Sequence, residues 1–324
     1  MGLFDLPLTE LRRYRPEVRE PADFDRFWAD TLAAARRHAP LVAVEPVKTQ
    51  LTLLETADVT FAGFDGHPVR AWYTRPADRA GQALPVVVEY LGYGRGRGLP
   101  HERLVWSCAG YAHLLMDTRG QGAQYGNGGH TPDPVGSPPA APGFLTRGVE
   151  DPEQAYLRRL FTDAARAVDA AAALPDVDAG RIAVVGNSQG GGLAIAAAGL
   201  NDAVRVLLSS AALFCHYERS VAITDTHPYA EVVQYLSVHR EAEERVLAGL
   251  SYFDGVNLAR RARASAHFGA GLRDRTCPPS GIFAAFNHLP NPDKDIEVYP
   301  YNGHEGGEAL HTARQLSFLR ARLG

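Results

Sequence analysis

Short apolar runs and helix-like stretches alternate along most of the chain. The apolar runs show no regular polar–apolar alternation, which is typical of strands covered on both faces in a parallel sheet; they are residues 85–90, 112–116, 182–185, 204–208, 266–269 and 296–299. Helical patterns separate them, most clearly at 152–174, where Asp151 is the predicted N-cap and Gln154 completes a capping box. This order predicts an α/β fold with a mostly parallel, doubly wound sheet.

The N-terminal part of the chain follows a different pattern. Residues 22–38 carry apolar side chains at helical spacing and predict an amphipathic helix. Residues 51–61 and 69–73 alternate between polar and apolar positions, and Asp65-Gly66 between them is a hairpin signal. We therefore expect an N-terminal extension over about residues 1–45 and two antiparallel strands before the parallel sheet.

Two later segments interrupt the alternation of strands and helices. Residues 121–148 hold seven glycines and five prolines and predict a long irregular loop, which is usually functional or a contact surface. Residues 216–263 lie between two predicted strands and contain helix-like stretches at 229–238 and 240–250, so we interpret them as a small helical insertion. We find no repeat and no linker, and expect a single domain over residues 1–324.

Charge and cysteine content narrow the class of function. The chain has 33 Lys and Arg against 37 Asp and Glu, a formal charge of −4, which makes nucleic acid and membrane surfaces poor candidates as partners. Its three cysteines cannot all pair and none lies in a Cys-x-x-Cys motif, which favours reduced thiols. We find no signal peptide and no apolar stretch near membrane-spanning length, and therefore expect a cytoplasmic protein.

The strongest chemical signal is the segment RIAVVGNSQGG at residues 181–191. It contains the pattern Gly-x-Ser-x-Gly between a strand-like and a helix-like stretch, which is the context of a nucleophile elbow. Small flanking residues let the chain turn sharply, and the turn places Ser188 at a helix N-terminus that favours a developing negative charge. We predict that Ser188 is a catalytic nucleophile rather than part of a glycine-rich packing turn.

A serine nucleophile needs a general base and an acid that orients this base. In this class of fold they follow the serine in the order acid, then histidine. Asp274 and His304 each come just after a predicted strand, at the sheet edge where open α/β sheets place their sites. We therefore predict Asp274 as the acid and His304 as the base. Rival residues lie on predicted helices or precede the last strand: they are His288, His311, Asp293 and Asp295.

Two backbone N–H groups are needed to hold the oxyanion of such a reaction. We expect one from Gln189, the residue after the nucleophile, and one from Tyr93, in the loop after the run 85–90. The glycines of this loop simply alternate and do not form the dinucleotide fingerprint Gly-x-Gly-x-x-Gly. His304-Glu305 is not a zinc motif, because position 308 is a glutamate. We expect neither a cofactor nor a catalytic metal.

Three ordered motifs resemble carbohydrate esterase family seven, the acetyl xylan esterases and cephalosporin C deacetylases. They are Arg119-Gly120-Gln121, the elbow segment 186–190 and His304-Glu305. Other stretches similar to the family lie at 143–148, 228–236, 250–257 and 273–280, so that the likeness runs from about residue 5 to the C-terminus. One departure is Leu91, where many members have histidine; because the oxyanion donor of this loop is a backbone group, we expect its function to survive.

The resemblance implies an α/β-hydrolase fold, an acetyl-ester substrate and a hexamer whose sites face an inner cavity. It places the triad on Ser188, Asp274 and His304, and the oxyanion donors on Tyr93 and Gln189. Arg119 and Glu305 are left without an obvious chemical task. We interpret them as charge pairs that brace the loops of the site; the alternative is that Arg119 steers an anionic substrate.

The resulting hypothesis is a serine carboxylesterase that removes acetyl groups from small acetylated carbohydrates or related acetyl esters. A serine peptidase or another short-chain acyl hydrolase on the same fold is the first alternative, although such peptidases usually carry a large extra domain that we do not expect here. A non-catalytic oligomeric scaffold is the second alternative, and the complete triad argues against it.

Overall fold

One mixed β-sheet runs through the computed structural model, which describes residues 4–135 and 143–324. Neighbouring strands follow the order β1-β2-β3-β5-β4-β6-β7-β8-β9, and their bounds are β1 Leu41–Pro46, β2 Leu54–Ala62, β3 Pro68–Pro76, β4 Leu84–Tyr90, β5 Ala112–Met116, β6 Val177–Asn187, β7 Val204–Ser210, β8 Ser265–Gly271 and β9 Lys294–Tyr299. The pairs from β1 to β5 are antiparallel, and the pairs from β5 through β4 to β9 are parallel. The predicted mostly parallel sheet is confirmed.

Helices connect the strands of this sheet. In the described part of the chain they are α1 Leu8–Leu11, α2 Phe24–Ala35, α3 Val105–Cys108, α4 Tyr156–Ala173, α5 Gln189–Leu200, α6 Tyr217–Ile223, α7 Tyr229–Val238, α8 Glu243–Ser251, α9 Gly255–Ala259, α10 Pro279–His288 and α11 Glu308–Leu323. None of these described helices is long and apolar enough to cross a membrane.

Helical layers cover both faces of the sheet, and this explains why its apolar runs do not alternate. In β4, Val86 and Val88 pack into the larger core together with α2, α4, α5 and α10. Val87, between them, packs on the opposite face in a smaller cluster with Trp106 of α3 and Leu319 of α11. Both faces of a parallel strand are therefore apolar, and the predicted doubly wound arrangement is confirmed.

The sequence pattern missed the first strand of the sheet. β1 pairs with β2 alone and forms the sheet edge, where four of its six positions are exposed. Its apolar residues, 41–44, form a run of only four positions, and an exposed edge strand needs no longer apolar pattern. The hairpin between β2 and β3 is confirmed: Asp65 and Gly66 have φ values of 51° and 73°, as a tight turn between antiparallel strands requires.

The predicted start of α4 is wrong by several residues. The helix begins at Tyr156, and Ala155 before it is extended, with φ −60° and ψ 134°. Asp151 instead accepts a hydrogen bond from the backbone N–H of Glu153 at 2.9 Å, which closes a local turn. Aspartate stabilises such turns as readily as it caps helices, and the capping-box pattern does not distinguish the two.

Four helices, α6 to α9, lie between β7 and β8, in the region predicted as an insertion. Helices α7 and α8 correspond to the two stretches read from the sequence. Helices α6 and α9 have only seven and five residues, which is too short for a helical period to be recognised.

Buried ion pairs join the loop after β5 to α4. Arg119 is fully buried and donates to both carboxylate oxygens of Asp163, with Nη2 2.7 Å from Oδ1. Asp133 lies between Arg119, at 3.4 Å, and Arg159, at 2.7 Å. Although burial opposes the charge of Arg119, Asp163 and Asp133 raise its pKa above the ordinary value. These two arginines and two aspartates thus form one buried cluster of balanced charge, which joins α4 to the connection before it.

We predict that Arg119→Leu lowers the free energy of unfolding by about 3–5 kcal/mol, because it leaves buried carboxylates without their cation. Arg26→Leu is the matched control: the Arg26 side chain is 75% exposed and pairs with Asp23 on the surface, so its loss is worth about 1 kcal/mol or less. Denaturant unfolding of the two variants measures both changes. Equal losses in the two variants would contradict the bracing interpretation.

Candidate active site

Ser188 occupies a sharp turn between β6 and α5. Its backbone lies at φ 60° and ψ −123°, in a region that residues other than glycine rarely adopt. A side chain at Gly186 would place its Cβ 2.1 Å from the carbonyl carbon of Gly190, and one at Gly190 would lie 2.2 Å from the carbonyl oxygen of Tyr90. Both glycines are therefore required for the turn, and the segment has the geometry of a nucleophile elbow.

The acid and the base predicted from the sequence form a hydrogen-bonded pair. Nδ1 of His304 lies 2.9 Å from Oδ2 of Asp274. Asp274 is completely buried, and its Oδ1 accepts the backbone N–H groups of Thr276 and Cys277, both at 2.9 Å. A carboxylate fixed in this way accepts a hydrogen bond from Nδ1–H, which leaves the unprotonated Nε2 of the imidazole as the proton acceptor.

Ser188 and His304 line the same cavity, which has a volume of about 530 Å³. This volume lies within the range of small-molecule sites. The His304 side chain is one-third exposed and Ser188 is 7% exposed. Both residues are therefore accessible from the cavity, while protein covers most of their surface. Tyr93, Pro228 and Thr276 form further parts of its wall.

The rival residues lie elsewhere and do not line this cavity. Asp293 pairs with Arg322 at the protein surface. Nδ1 of His288 lies 2.8 Å from the carbonyl oxygen of Ala284, within α10. His311 contacts the hydroxyl of Tyr299 at 3.1 Å.

Gln121 connects the two chain segments that carry the predicted oxyanion donors. Its Oε1 accepts the backbone N–H of Gly94 at 2.7 Å, in the loop after β4. Its Nε2 donates to Oε1 of Gln189 at 2.9 Å and to the hydroxyl of Tyr156 at 3.0 Å. Gly120 before it has a φ of 66°, a value that glycine adopts without strain. The Arg-Gly-Gln motif therefore supports the loop of Tyr93 against the elbow.

The phenol of Tyr93 belongs to a contact that the sequence did not predict. It donates to Oε1 of Glu231, on α7, and accepts the backbone N–H of Phe144 at 2.8 Å. Glu231 also accepts the N–H groups of Gly143 and Leu145, each at 3.1 Å. Burial, followed by the charge of Glu231, raises the pKa of Tyr93 well above the ordinary value, so the phenol remains a donor.

These five residues, which we call the Tyr93–Glu231 clamp, tie the loop after β4 to α7 and to the segment 143–145. The sequence offers one weak signal for it, a glutamate next to the apolar Val232 on a helix. Glu231 is only 8% exposed, and a carboxylate at such a position needs buried donors. The segment belongs to the irregular loop predicted over 121–148, of which residues 136–142 lie outside the described structure.

The cysteines have no disulfide partners, and one of them lies beside Ser188. Cys215 and Cys277 are buried, whereas Cys108 is exposed. Burial raises the pKa of the Cys277 thiol, which contacts the Ser188 hydroxyl, so it stays protonated and neutral. Among the residues that the structure describes, no three His, Cys, Asp or Glu side chains are placed to hold a metal ion.

We predict that Tyr93→Phe lowers the free energy of unfolding by about 1–3 kcal/mol, because it leaves the Phe144 N–H and Glu231 short of a partner in a buried place. Tyr301→Phe removes the same hydroxyl from a side chain that is 84% exposed and should change stability by less than about 0.5 kcal/mol. Denaturant unfolding compares the two variants. A Tyr93→Phe protein as stable as the Tyr301→Phe control would argue against the clamp.

Comparison with known proteins identifies the relatives of this chain. The family described as acetyl xylan esterase (AXE1) matches residues 1–322. The acetyl esterase Axe7A of Xylanibacter ruminicola is 25% identical over 301 residues, which are 90% of this chain and 65% of that protein. This chain therefore spans slightly less than two-thirds of the length of that relative.

Two solved structures are similar over nearly the whole chain. An acetyl xylan esterase from Paenibacillus sp. R4 superimposes with a TM-score of 0.91 and 40% identity, covering 98% of this chain and 100% of that one. Acetyl xylan esterase 1 from Thermoanaerobacterium sp. JW/SL YS485 superimposes with a TM-score of 0.88 and 31% identity, covering 98% and 99%. The α/β-hydrolase fold and the resemblance stated from the sequence are confirmed. The chain belongs to the acetyl xylan esterase family.

Proposed function

We propose that this protein is a serine acetylesterase that removes acetyl groups from small acetylated carbohydrates or related acetyl esters. One observation carries the proposal: Ser188 on its elbow and His304, which is hydrogen-bonded to Asp274, line one cavity. The family to which the chain belongs supports acetyl as the acyl group.

The chemistry would proceed through an acetyl-enzyme. His304 Nε2 takes the proton of Ser188 as its oxygen attacks the acetyl carbon, and Asp274 stabilises the imidazolium that forms. The backbone N–H groups of Tyr93 and Gln189 hold the oxyanion. His304 then gives its proton to the oxygen of the departing alcohol. Water repeats the sequence on the acetyl-enzyme and releases acetate.

Arg119, Gly120, Gln121 and Glu305 support the positions of the reacting groups and take no part in the bond changes themselves. Complete burial of Arg119, and its pairing with Asp163, favour the bracing role over the steering of an anionic substrate. Glu305 accepts hydrogen bonds from Asn302 at 2.9 Å and from the backbone of Gly303 at 3.1 Å. These bonds order the turn that carries His304.

We also propose that the chain is a single hydrolase domain with a helical insertion over about 216–263, and that it works in the cytoplasm as a hexamer. The assembly rests on the family resemblance and on the length of the irregular loop at 121–148. Light scattering at micromolar concentration tests it, and a monomeric mass would exclude the hexamer.

We predict that Ser188→Ala lowers kcat for 4-nitrophenyl acetate by about 10⁴- to 10⁶-fold with the fold intact, because the triad acts as a unit. Ser237→Ala is the matched control on the exposed end of α7. Near-normal turnover by Ser188→Ala would reject the nucleophile. A wild-type protein that hydrolyses no acetate would favour the scaffold alternative, and cleavage of a peptide amide would favour the peptidase.

We predict that kcat/KM falls steeply from acetyl to butyryl to octanoyl esters of one leaving group. Pro228 lies one residue before α7, and the Tyr93–Glu231 clamp fixes that helix, so the wall around the acyl group cannot retreat. Forcing extra methylenes against packed walls costs about 1–3 kcal/mol, whereas an open apolar groove would gain about 0.8 kcal/mol for each. Steady-state kinetics of the three esters show whether kcat/KM falls or rises with acyl length. A kcat/KM that rises from acetyl to octanoyl would contradict the acetylesterase.

A further inference from the structure

A second cavity, of about 730 Å³, lies beside the first. The two share Arg95, Arg103 and Asn187 in their walls, and Asn187 directly precedes the nucleophile. Asn187 is exposed, so it forms the rim between the two spaces rather than a closed partition. Molecules bound at Ser188 can therefore extend across Asn187 into the second cavity.

The proton transfers of an ester hydrolase decide which part of the substrate extends this way. The base must reach the oxygen of the departing alcohol, so the alcohol lies on the His304 side of the scissile bond. The chain that follows His304 leads into the second cavity: Glu305, Glu308 and Thr312 all line it. We assign the acyl group to the opposite side of the scissile bond, where Tyr93 and Pro228 line the first cavity.

The backbone after His304 makes a turn that places the following residues in the wall of the second cavity. Gly306, Gly307 and Glu308 have φ values of 39°, 82° and 41°. A side chain at Gly307 would meet the ring of Tyr299 at 2.2 Å. Glu308 is not a glycine, so its positive φ is an uncommon, strained backbone conformation. The turn sets the first residues of α11 against the cavity.

The positive charges of the second cavity are compensated. Arg103 pairs with Glu89, which also accepts the indole N–H of Trp106 at 3.0 Å. Arg95 pairs with Glu102 at 3.0 Å. Although burial opposes its charge, His113 and Arg103 lower the pKa of Glu89 to about 2, so this pair stays ionic. Neither arginine is left to attract an anion.

Two glutamates, Glu305 and Glu308, add negative charge to the same cavity. Across residues 4–135 and 143–324, Glu305 and Glu308 form no salt bridge. The hydrogen bond from Asn302 lowers the pKa of Glu305, so this carboxylate is charged. Burial, and then His267, lower the pKa of His311 behind them to about 4, so it adds no positive charge at neutral pH.

We propose that the second cavity is the subsite for the alcohol part of the ester, and that Glu305 and Glu308 make it select hydroxyl-rich neutral or cationic alcohols against anionic ones. Each carboxylate oxygen can accept more than one hydrogen bond, so charged carboxylates accept from hydroxyl groups of a substrate and repel a carboxylate on it. Two such charges give a repulsion equivalent to about a five- to tenfold difference in rate at low salt, and salt screens it. The inference rests on the proposed esterase function.

The test compares two acetyl esters that differ in charge at one position, an acetylated methyl pentoside and the matching acetylated methyl uronide, with ethyl acetate as a small reference. We expect wild-type kcat/KM to favour the neutral sugar about five- to tenfold at low salt, and the ratio to shrink in 0.5 M salt. Glu308→Gln should reduce the ratio about threefold, and Glu308→Lys should reduce it further. Glu241→Gln, on the exposed surface of the insertion, should leave it unchanged.

A second variant tests the position of the subsite by volume instead of charge. Thr312→Tyr places a ring in the second cavity and should lower the ratio of sugar-ester to ethyl acetate kcat/KM at least tenfold. Ser317→Tyr, on the exposed side of the same helix, should not change that ratio.

The outcomes separate the inference from the proposed function. Ethyl acetate hydrolysis combined with unchanged ratios in the Glu308 and Thr312 variants would overturn the alcohol subsite and leave the esterase standing. Failure of the wild-type protein to hydrolyse any acetate would overturn both. An anionic sugar ester hydrolysed as fast as the neutral one at low salt would overturn the charge selection.

Discussion

The arrangement of the site depends on the backbone turn at Ser188. The turn holds a non-glycine residue at φ 60°, and surrounding backbone bonds maintain it: Ser188 donates its N–H to Ser210 at 2.9 Å and accepts that of Leu213 at 2.9 Å. Gly186 and Gly190 let β6, α5 and the end of β4 approach more closely than any side chain would allow. The central sheet, rather than a surface loop, therefore fixes the position of Ser188. A group held in this way needs no reorganisation when it reacts.

A network of buried amides and ions transmits this rigidity to the loop of Tyr93. Gln121 joins Gly94 to Gln189, and Tyr156, which accepts from Gln121, donates to the carbonyl of Arg119 at 2.6 Å. Buried polar groups are costly when unpaired, but a network in which each donor has an acceptor specifies one arrangement. The Arg-Gly-Gln motif thus has a structural role: its arginine pairs with α4, and its glutamine holds the loop of Tyr93.

The parts predicted from the sequence are those that follow from local pattern. Ser188 stands out because an elbow needs a strand, small residues and a helix within a dozen positions. Asp274 and His304 are predicted to lie together because each follows an apolar run and parallel strands end at one edge of the sheet, and the two side chains are hydrogen-bonded. β1 escaped prediction because its apolar run, residues 41–44, is short and lies at an exposed sheet edge. The contact between Tyr93 and Glu231 escaped because it joins residues 138 positions apart, and no local pattern encodes such a separation.

The two sides of the proposed site select substrates by different interactions, because segments after different strands form them. The acyl side is bounded by the insertion after β7, whose helix α7 is fixed to Tyr93 by a buried carboxylate. A fixed wall discriminates by shape, since packed side chains cannot yield to an extra methylene without strain. The alcohol side is bounded by the turn after β9, where Glu305 and Glu308 are exposed and charged. Side chains in contact with water discriminate between substrates weakly by shape and more by charge. The range of this charge interaction shortens as the salt concentration rises. An esterase built this way can be strict about the acyl group and tolerant in the size of the alcohol, because each requirement is met by a separate part of the chain.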